Sequence, residues 1–306
     1  MSHATARLEP AYNLRGALFM VLSMAGFAVE DSLLKIAAVS LPPGQVLMTF
    51  GVFGTVVFIL LALVAHEPPL TRAMLSRTMV LRSLSEVTGR LFFMLAIALT
   101  PLSTASAVLQ ATPLVVMLGA ALLFGERIGA RRWLAVALGF AGVLLILRPG
   151  TDGFGPLSLL AVMAMLGFAG RDLATRAAPV SLSFRQLGVA GFSMLIVAGL
   201  IVLPFGPPPV APDGPIWAAL AAASATGVCA YTFLTVAMRT GQVGAVTPFR
   251  YTRLVFAMIA GVLVFGEVPD RWTIIGSAVI VLAGIMALRL SRQAGRAQAA
   301  EVRPAR

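Results

Sequence analysis

Met24 to Gln45 reads MAGFAVEDSLLKIAAVSLPPGQ, and 141 residues later Met165 to Gln186 reads MLGFAGRDLATRAAPVSLSFRQ. At that offset Gly26, Phe27, Ala28, Asp31, Ala37, Ser40 and Gln45 fall on Gly167, Phe168, Ala169, Asp172, Ala178, Ser181 and Gln186. Lys35 falls on Arg176, so a basic residue follows the aspartate by four positions in both copies. The register holds downstream without a gap. Ser83, Phe92, Ala96, Met117 and Leu122 meet Ser224, Phe233, Ala237, Met258 and Leu263, and Phe124-Gly125-Glu126 meets Phe265-Gly266-Glu267. The chain is therefore a tandem repeat, read as two units over 1–150 and 151–306, the second ending in a basic tail.

Outside this stretch the composition sets the class. Of 306 residues 59% are hydrophobic and 11% charged, with a mean hydropathy of +0.94; soluble domains carry about a quarter charged residues. The apolar runs are long and do not alternate, which points to helices in a lipid bilayer rather than a barrel. Ten segments can be drawn, at 15–34, 44–65, 79–99, 103–124, 131–147, 157–176, 183–204, 215–238, 243–265 and 271–289. The expected fold is an all-α integral membrane protein with ten transmembrane helices, five per repeat. An odd number of spans per unit inserts the second unit upside down, giving two inverted five-helix repeats, an architecture of secondary transporters.

Basic residues cluster in alternate loops and in the tail, while the opposite segments hold only Lys35, Arg148 and Arg271. That bias places both termini in the cytoplasm. The first span has a full counterpart in mid-chain and reads as a retained helix rather than a cleaved signal. The net charge of +11 lies between apolar segments and in the tail, so it is topology charge and not a nucleic-acid surface. Lys35 is the only lysine and follows Leu34, which excludes a phosphate-binding Gly-Lys-Ser/Thr loop. His3 and His66 offer no zinc spacing, and Cys229, inside an apolar segment, reads as a packed core thiol. No cofactor, metal site or enzymatic activity is expected.

Charges at membrane depth are costly and face the bundle interior or water. Asp31 with Lys35, Asp172 with Arg176, and Glu86 with Arg90 are each spaced i, i+4 with the acid first, the favourable order on a helix. The first two pairs would lie at opposite faces of the membrane, as interfacial helix pairs or as parts of a gate. Arg90 lies about 13 Å deep, and Arg250 and Arg253 about 10 and 15 Å, at the helical rise per residue. Arg90 falls on Tyr231 in the repeat, Tyr251 on Gln110, and Arg250 and Arg253 on Leu109 and Thr112, so the polar set is asymmetric. Glu30, Asp31, Glu86 and Asp172 against Arg90, Arg171, Arg250 and Arg253 give an interior neutral without a bound ion. The expected substrate-binding residues are Arg253 and Arg90 for a carboxylate, Glu86 to orient Arg90 or meet an ammonium, and Tyr231, Tyr251 and Gln110 lining the cavity. Asp31, Lys35, Asp172 and Arg176 are the gate residues. Pro113 and Pro248 free helix carbonyls, as kinks or hinges. Gly125 and Gly266 read as helix caps, with Glu126 and Glu267 at the positive end of the following helix.

Ten spans in two halves, each with a Gly-Glu turn before its last helix, resemble the drug/metabolite transporter superfamily and its EamA-like branch. The residues carrying the resemblance are Gly125-Glu126 with Pro113 upstream and Gly139 and Gly142 downstream, and Gly266-Glu267 with Pro248 upstream and Gly276 and Gly284 downstream. The match spans nearly the whole chain and is specific for the superfamily rather than for a substrate. It is similar to bacterial amino-acid exporters, the aromatic amino-acid group included, and also to exporters of other small metabolites. The resemblance implies a bacterial inner-membrane location, a central cavity between the halves, a small-molecule cargo and no nucleotide hydrolysis; a monomer suffices, since both halves lie in one chain.

Overall fold

The computed structural model describes residues 2–124, 130–148, 155–176, 181–240 and 247–301, with side chains from Leu14 onward except at 124, 132, 176, 238–240, 247–248, 288 and 291–301. Every regular element among them is helical: α1 (Ser2–Ser40), α2 (Pro43–Val64), α3 (Arg77–Leu99), α4 (Leu102–Leu109), α5 (Thr112–Phe124), α6 (Ala130–Leu147), α7 (Ser158–Arg176), α8 (Phe184–Val202), α9 (Gly214–Thr240), α10 (Thr252–Phe265) and α11 (Arg271–Glu301). Short 3-10 turns occupy Arg72–Leu75, Leu203–Phe205 and Thr247–Tyr251. Six segments are long and apolar enough, by length and composition, to cross a membrane: Leu14–Ser40, Pro43–Val64, Leu102–Leu123, Ser158–Thr175, Phe184–Phe205 and Gly214–Ala237. The other four expected spans fall short for visible reasons. α3 carries Arg77, Arg82, Glu86 and Arg90, α10 begins only after a 3-10 turn, and the apolar parts of α6 and α11 are short, Trp133–Leu147 and Arg271–Ala287.

Small residues set how the helices meet. α1 packs on α9 and α3 on α7, α2 on α8, and α6 on α11. Gly26 lies on Ala230, and the repeat-equivalent pair, Gly167 on Gly89, forms the same contact between α7 and α3. Gly54 stands against Phe192 and Gly51 against Leu195, again one contact made twice under the offset. Gly139 approaches Ala283 while Gly142 approaches Ile280. A Cβ on Gly44 would sit 2.7 Å from the Leu203 amide nitrogen, and one on Gly199 would sit 2.6 Å from that of Met48, so the backbones nearly touch. Such approach is what small residues give to helices in lipid, where apolar burial contributes little.

The order of these contacts also fixes direction. Along α2, positions 44, 51, 54 and 58 meet positions 203, 195, 192 and 188 of α8, so the two helices run antiparallel. α2 and α8 are repeat equivalents. An operation that superposes them while reversing their direction is a pseudo-two-fold axis perpendicular to the helices. The repeated Gln45 and Gln186 each bond a loop carbonyl of the other half, one position apart in register. Gln45 holds both backbone polar groups of Val210, at 2.6 and 3.0 Å, and Gln186 donates to the Pro68 carbonyl at 2.9 Å.

The fourth and ninth segments are broken rather than continuous. α4 stops at Gln110–Ala111, and Pro113 falls in the first turn of α5, where a missing N–H costs nothing. Tyr251 ends the 3-10 turn that precedes α10. The two breaks are repeat equivalents and touch: Gln110 Nε2 donates to the carbonyls of Arg250 and Tyr251, both at 3.3 Å. Pro113 thus marks a helix break rather than a kink inside one helix; the side chain of Pro248 lies outside the described residues. Cys229 is exposed on α9, which corrects the packed-thiol expectation. A lipid-facing surface is as apolar as a core, so hydropathy does not separate the two.

Candidate functional site

Nine charged side chains from α1, α3, α7, α10 and the turn before α10 meet between the two repeats. α1 presents Glu30 and Asp31, both with no exposed surface. Asp31 Oδ2 accepts from Arg253 at 2.7 Å, and the Arg253 guanidinium lies between the rings of Phe27 and Phe93, 5.2 and 5.6 Å from their centroids. Glu30 Oε1 accepts from Arg90 at 3.0 Å, and its other oxygen faces the bare Cα of Gly227 on α9. Arg90 also donates to Glu86, one turn back, at 3.3 Å. Glu86 in turn lies 3.7 Å from Arg82 and 3.5 Å from Arg171. Arg171 and Arg90 both stand over Phe168, the repeat equivalent of Phe27, at 4.7 and 5.8 Å. Arg171 binds its neighbour Asp172 at 2.8 Å, and Asp172 lies 3.9 Å from Arg250.

Two expectations change here. The i, i+4 pair of Asp31 and Lys35 is not made: Asp31 goes to Arg253, and Lys35 donates to the Thr100 carbonyl and to Glu267, both at 2.9 Å. An isolated helix-surface pair is worth only about 0.2–0.5 kcal/mol. A buried bond to a guanidinium, or an ammonium over the carbonyl end of α3, outweighs it. The interior is also not neutral. Arg82, near the start of the 79–99 segment and left out of that balance, is buried with 4% exposure and donates Nε to Thr175 at 3.0 Å. Among the described residues the cluster therefore holds five arginines, at 82, 90, 171, 250 and 253, against four carboxylates, at 30, 31, 86 and 172. The spacing of Arg82, Glu86 and Arg90 along one helix face was the signal for it.

The structure brings Arg90, Glu86, Asp31, Asp172 and Arg253 into this one region, and Gln110 and the buried Tyr251 into the adjoining helix breaks. The Tyr251 ring packs onto Gly284 of α11. Tyr231 stacks edge-on against Phe58, 5.5 Å between centroids. The Arg176 side chain lies outside the described residues, as do Gly125 and Glu126.

Lys35 and Glu267 belong to a second assembly, at the end of the bundle where α3 stops and α4 starts. Gly266 takes a left-handed conformation, φ 62°, as expected of a helix cap. Glu267 turns back from it onto α4: it accepts from the Leu102 amide at 2.6 Å, the Ser103 amide at 3.0 Å and the Ser103 hydroxyl at 2.7 Å. The helix it caps is α4 and not the following α11, which Asp270 caps through the Thr273 amide at 2.8 Å. Burial pushes the Glu267 carboxyl up, but the bonds from Lys35, Ser103 and Leu102 together hold it below the ordinary value of 4.5. Its partners lie on α1 and α4, out of reach of any spacing in the sequence around Glu267. Groups of three or more histidine, cysteine or acidic side chains able to hold a metal are absent among the described residues.

Comparison with known proteins bears on this arrangement. The EamA-like transporter family matches twice, over residues 14–148 and 155–289. The chain is 28% identical to a riboflavin transporter of Rhizobium johnstonii, covering 94% of this chain and 96% of that one. It is 26% identical to an S-adenosylmethionine uptake transporter of Rickettsia prowazekii, over 88% and 90% of the two chains. It is 30% identical to a pseudopaline exporter of Pseudomonas aeruginosa, over 90% and 97%. A solved crystal structure shares the fold, with a TM-score of 0.62 at 21% identity over 92% of this chain and 99% of that one. A repeated helical unit, antiparallel packing of its two copies, and two family matches in the same register have one explanation: the chain belongs to the EamA-like transporter family of the drug/metabolite transporter superfamily, and is a membrane transporter rather than an enzyme.

Proposed function

We propose that the protein is a secondary transporter that exports small metabolites, amino acids first among them, across the bacterial inner membrane by alternating access. The two units, 1–150 and 151–306, supply ten spans in inverted orientation with both termini cytoplasmic. The observation that carries the reading is the nine-residue charge cluster buried between the halves. Charged groups at that depth are expensive unless they serve a pathway, and this cluster departs from the repeat symmetry that the frame obeys. A cargo with an ammonium and a carboxylate would exchange into such a network, meeting the acids of α1 and α3 and the guanidinium groups of α3 and α10. Arg253, Arg90, Glu86, Tyr231, Tyr251 and Gln110 line the site. Asp31 and Glu30 hold Arg253 and Arg90 in place, so these two arginines shape the cavity as well as contact cargo. Lys35 with Glu267 closes one end, while Asp172 and Arg176 serve the other.

A second reading keeps the mechanism and changes the cargo to another small metabolite, such as a flavin or nucleoside. The names of the relatives favour it, and two of them are uptake or undirected transporters. A flux screen on protein reconstituted in liposomes separates the two, with amino acids, riboflavin, S-adenosylmethionine, nucleosides and sugars as cargo. Amino-acid flux that Arg253→Ala abolishes is the expected result. Flux of riboflavin or nucleosides alone selects the second reading, and absence of flux for every cargo overturns both.

A further inference from the structure

Among the described residues the charge cluster contains more cation than anion, and the surplus can be located. Of its five arginines, four have a close acidic or hydroxyl partner: Arg253 on Asp31 at 2.7 Å, Arg90 on Glu30 at 3.0 Å, Arg171 on Asp172 at 2.8 Å, and Arg82 on Thr175 at 3.0 Å. Arg250 is the exception. Its guanidinium comes no closer than 3.9 Å to Asp172, whose Oδ1 already accepts two bonds from Arg171. Its side chain is also the most exposed of the five, at 32%, so the surplus charge lies at the edge of the cluster.

The backbone under Arg250 is held rather than loose. It lies in the 3-10 turn Thr247–Tyr251, where the helix is broken, and Gln110 from the other repeat's break donates to its carbonyl at 3.3 Å. The repeat offset places Leu109 opposite it, so the first half supplies no second cation. A backbone bonded to the other repeat and carrying one underused guanidinium, at the edge of a cluster with a surplus positive charge, suits one anionic group. Arg presents that charge as a fork suited to a carboxylate or phosphate.

We infer that Arg250 is the specificity-determining residue of the site, the group that receives the anionic head of the cargo and selects monoanionic or carboxylate-bearing substrates over neutral and cationic ones. This rests on the transporter reading and assigns the substrate charge. Asp172 is the resting partner, and an incoming carboxylate displaces that long contact rather than breaking one of the four close bonds. Gln110 acts as a positioning residue, through the Arg250 and Tyr251 carbonyls.

Benzoate, benzamide and benzamidine test it, because they share one flat body and differ in charge. Binding to the full-length protein in lipid nanodiscs is measured by calorimetric titration. Benzoate is expected to bind the wild type at least about 10-fold tighter than benzamide, and benzamidine weakest. Arg250→Gln is expected to weaken benzoate about 10- to 100-fold, the loss of one charge-assisted hydrogen bond, and to leave benzamide unchanged. Arg250→Lys keeps the charge without the fork and should recover part of the loss, which excludes misfolding as the cause. Equal binding of the three ligands, no benzoate binding to the wild type, or an unchanged benzoate preference in Arg250→Gln overturns the inference. The transporter reading is judged on liposomal flux and fails separately.

Discussion

Removing the Glu267 carboxylate is the most informative perturbation of the frame, because one side chain joins three helices. It accepts four bonds, from Lys35 on α1 at 2.9 Å, the Leu102 amide at 2.6 Å, and the Ser103 amide and hydroxyl at 3.0 and 2.7 Å. Both members of the ion pair are largely buried, with 15% and 10% of their side chains exposed. Losing one partner of a buried pair costs about 3–5 kcal/mol, since the other charge is stranded. Here Glu267→Ala strands Lys35 and uncaps α4 at once, so the upper part of that range, about 4–5 kcal/mol, is expected. Glu267→Gln keeps the shape and one neutral acceptor; neutral bonds are about half as strong as charged ones, so about 2 kcal/mol is expected. Lys35→Met should cost less than Glu267→Ala, because the cap on α4 survives. Equilibrium unfolding by SDS in mixed micelles measures each, and the double variant gives the coupling. A coupling near 2 kcal/mol is expected. A value under about 0.5 kcal/mol, typical of an exposed surface pair, would refute the reasoning.

Three further outcomes follow from other parts of the molecule. Arg253→Ala leaves Asp31 buried without a cation and should cost about 3–5 kcal/mol in the same assay; adding Asp31→Asn should restore most of the stability but not the flux. A single-variant cost below about 1 kcal/mol would sink that account. Gly44→Ala and Gly199→Ala press a methyl against backbone 2.7 and 2.6 Å away, which cannot yield as a side chain can, and each should cost about 1–3 kcal/mol. Gly214→Ala, with nothing within 4 Å, is the control and should be near neutral. Hydrogen bonds from Arg185 and Ser183 hold the loop carboxyl of Glu67 below its ordinary 4.5. A depressed carboxylate stabilises the fold fully above its unfolded value, and the contribution fades as pH falls through the folded value. The acid limb of the stability profile below about pH 4.5 should therefore flatten in Glu67→Gln, and an unchanged limb would count against the pair.

Much of the frame was legible because repetition and small residues are written locally. The offset carries Gly26 onto Gly167, which make equivalent contacts, and Gln45 onto Gln186, which bond loop carbonyls one position out of register. The site was legible as a set of residues but not as a set of bonds. Sequence spacing offers an acid only its neighbours on the same helix, which is why Asp31 was matched with Lys35 instead of with Arg253, 222 positions away. The burial of Arg82 is not legible in the sequence, because it depends on where α3 begins relative to α7 and α8. Phe27 and Phe168 were visible as repeat matches, whereas Phe93, the other ring against Arg253, left no pattern to find.

The clasp at Glu267 has a consequence for how the frame moves. Under the repeat offset Glu267 corresponds to Glu126, Lys35 to Arg176, and Leu102-Ser103 to Val243-Gly244. In the proposed alternating-access cycle the two halves exchange contacts, so a bond closing one end in one state would have its counterpart closing the other end in the opposite state. Positions 125–129 and 241–246 lie outside the described residues, and the correspondence rests on the sequence alone. Gly244 has no hydroxyl to match that of Ser103. Glu267→Gln should therefore favour opening at the Lys35 end, and Glu126→Gln should favour opening at the other. Single cysteines placed at the two ends, in a Cys229→Ser background, report this through their labelling by a membrane-impermeant maleimide in sealed, oriented vesicles. Opposite shifts in the two variants are expected, and shifts of the same sign would show that the clasps are static caps.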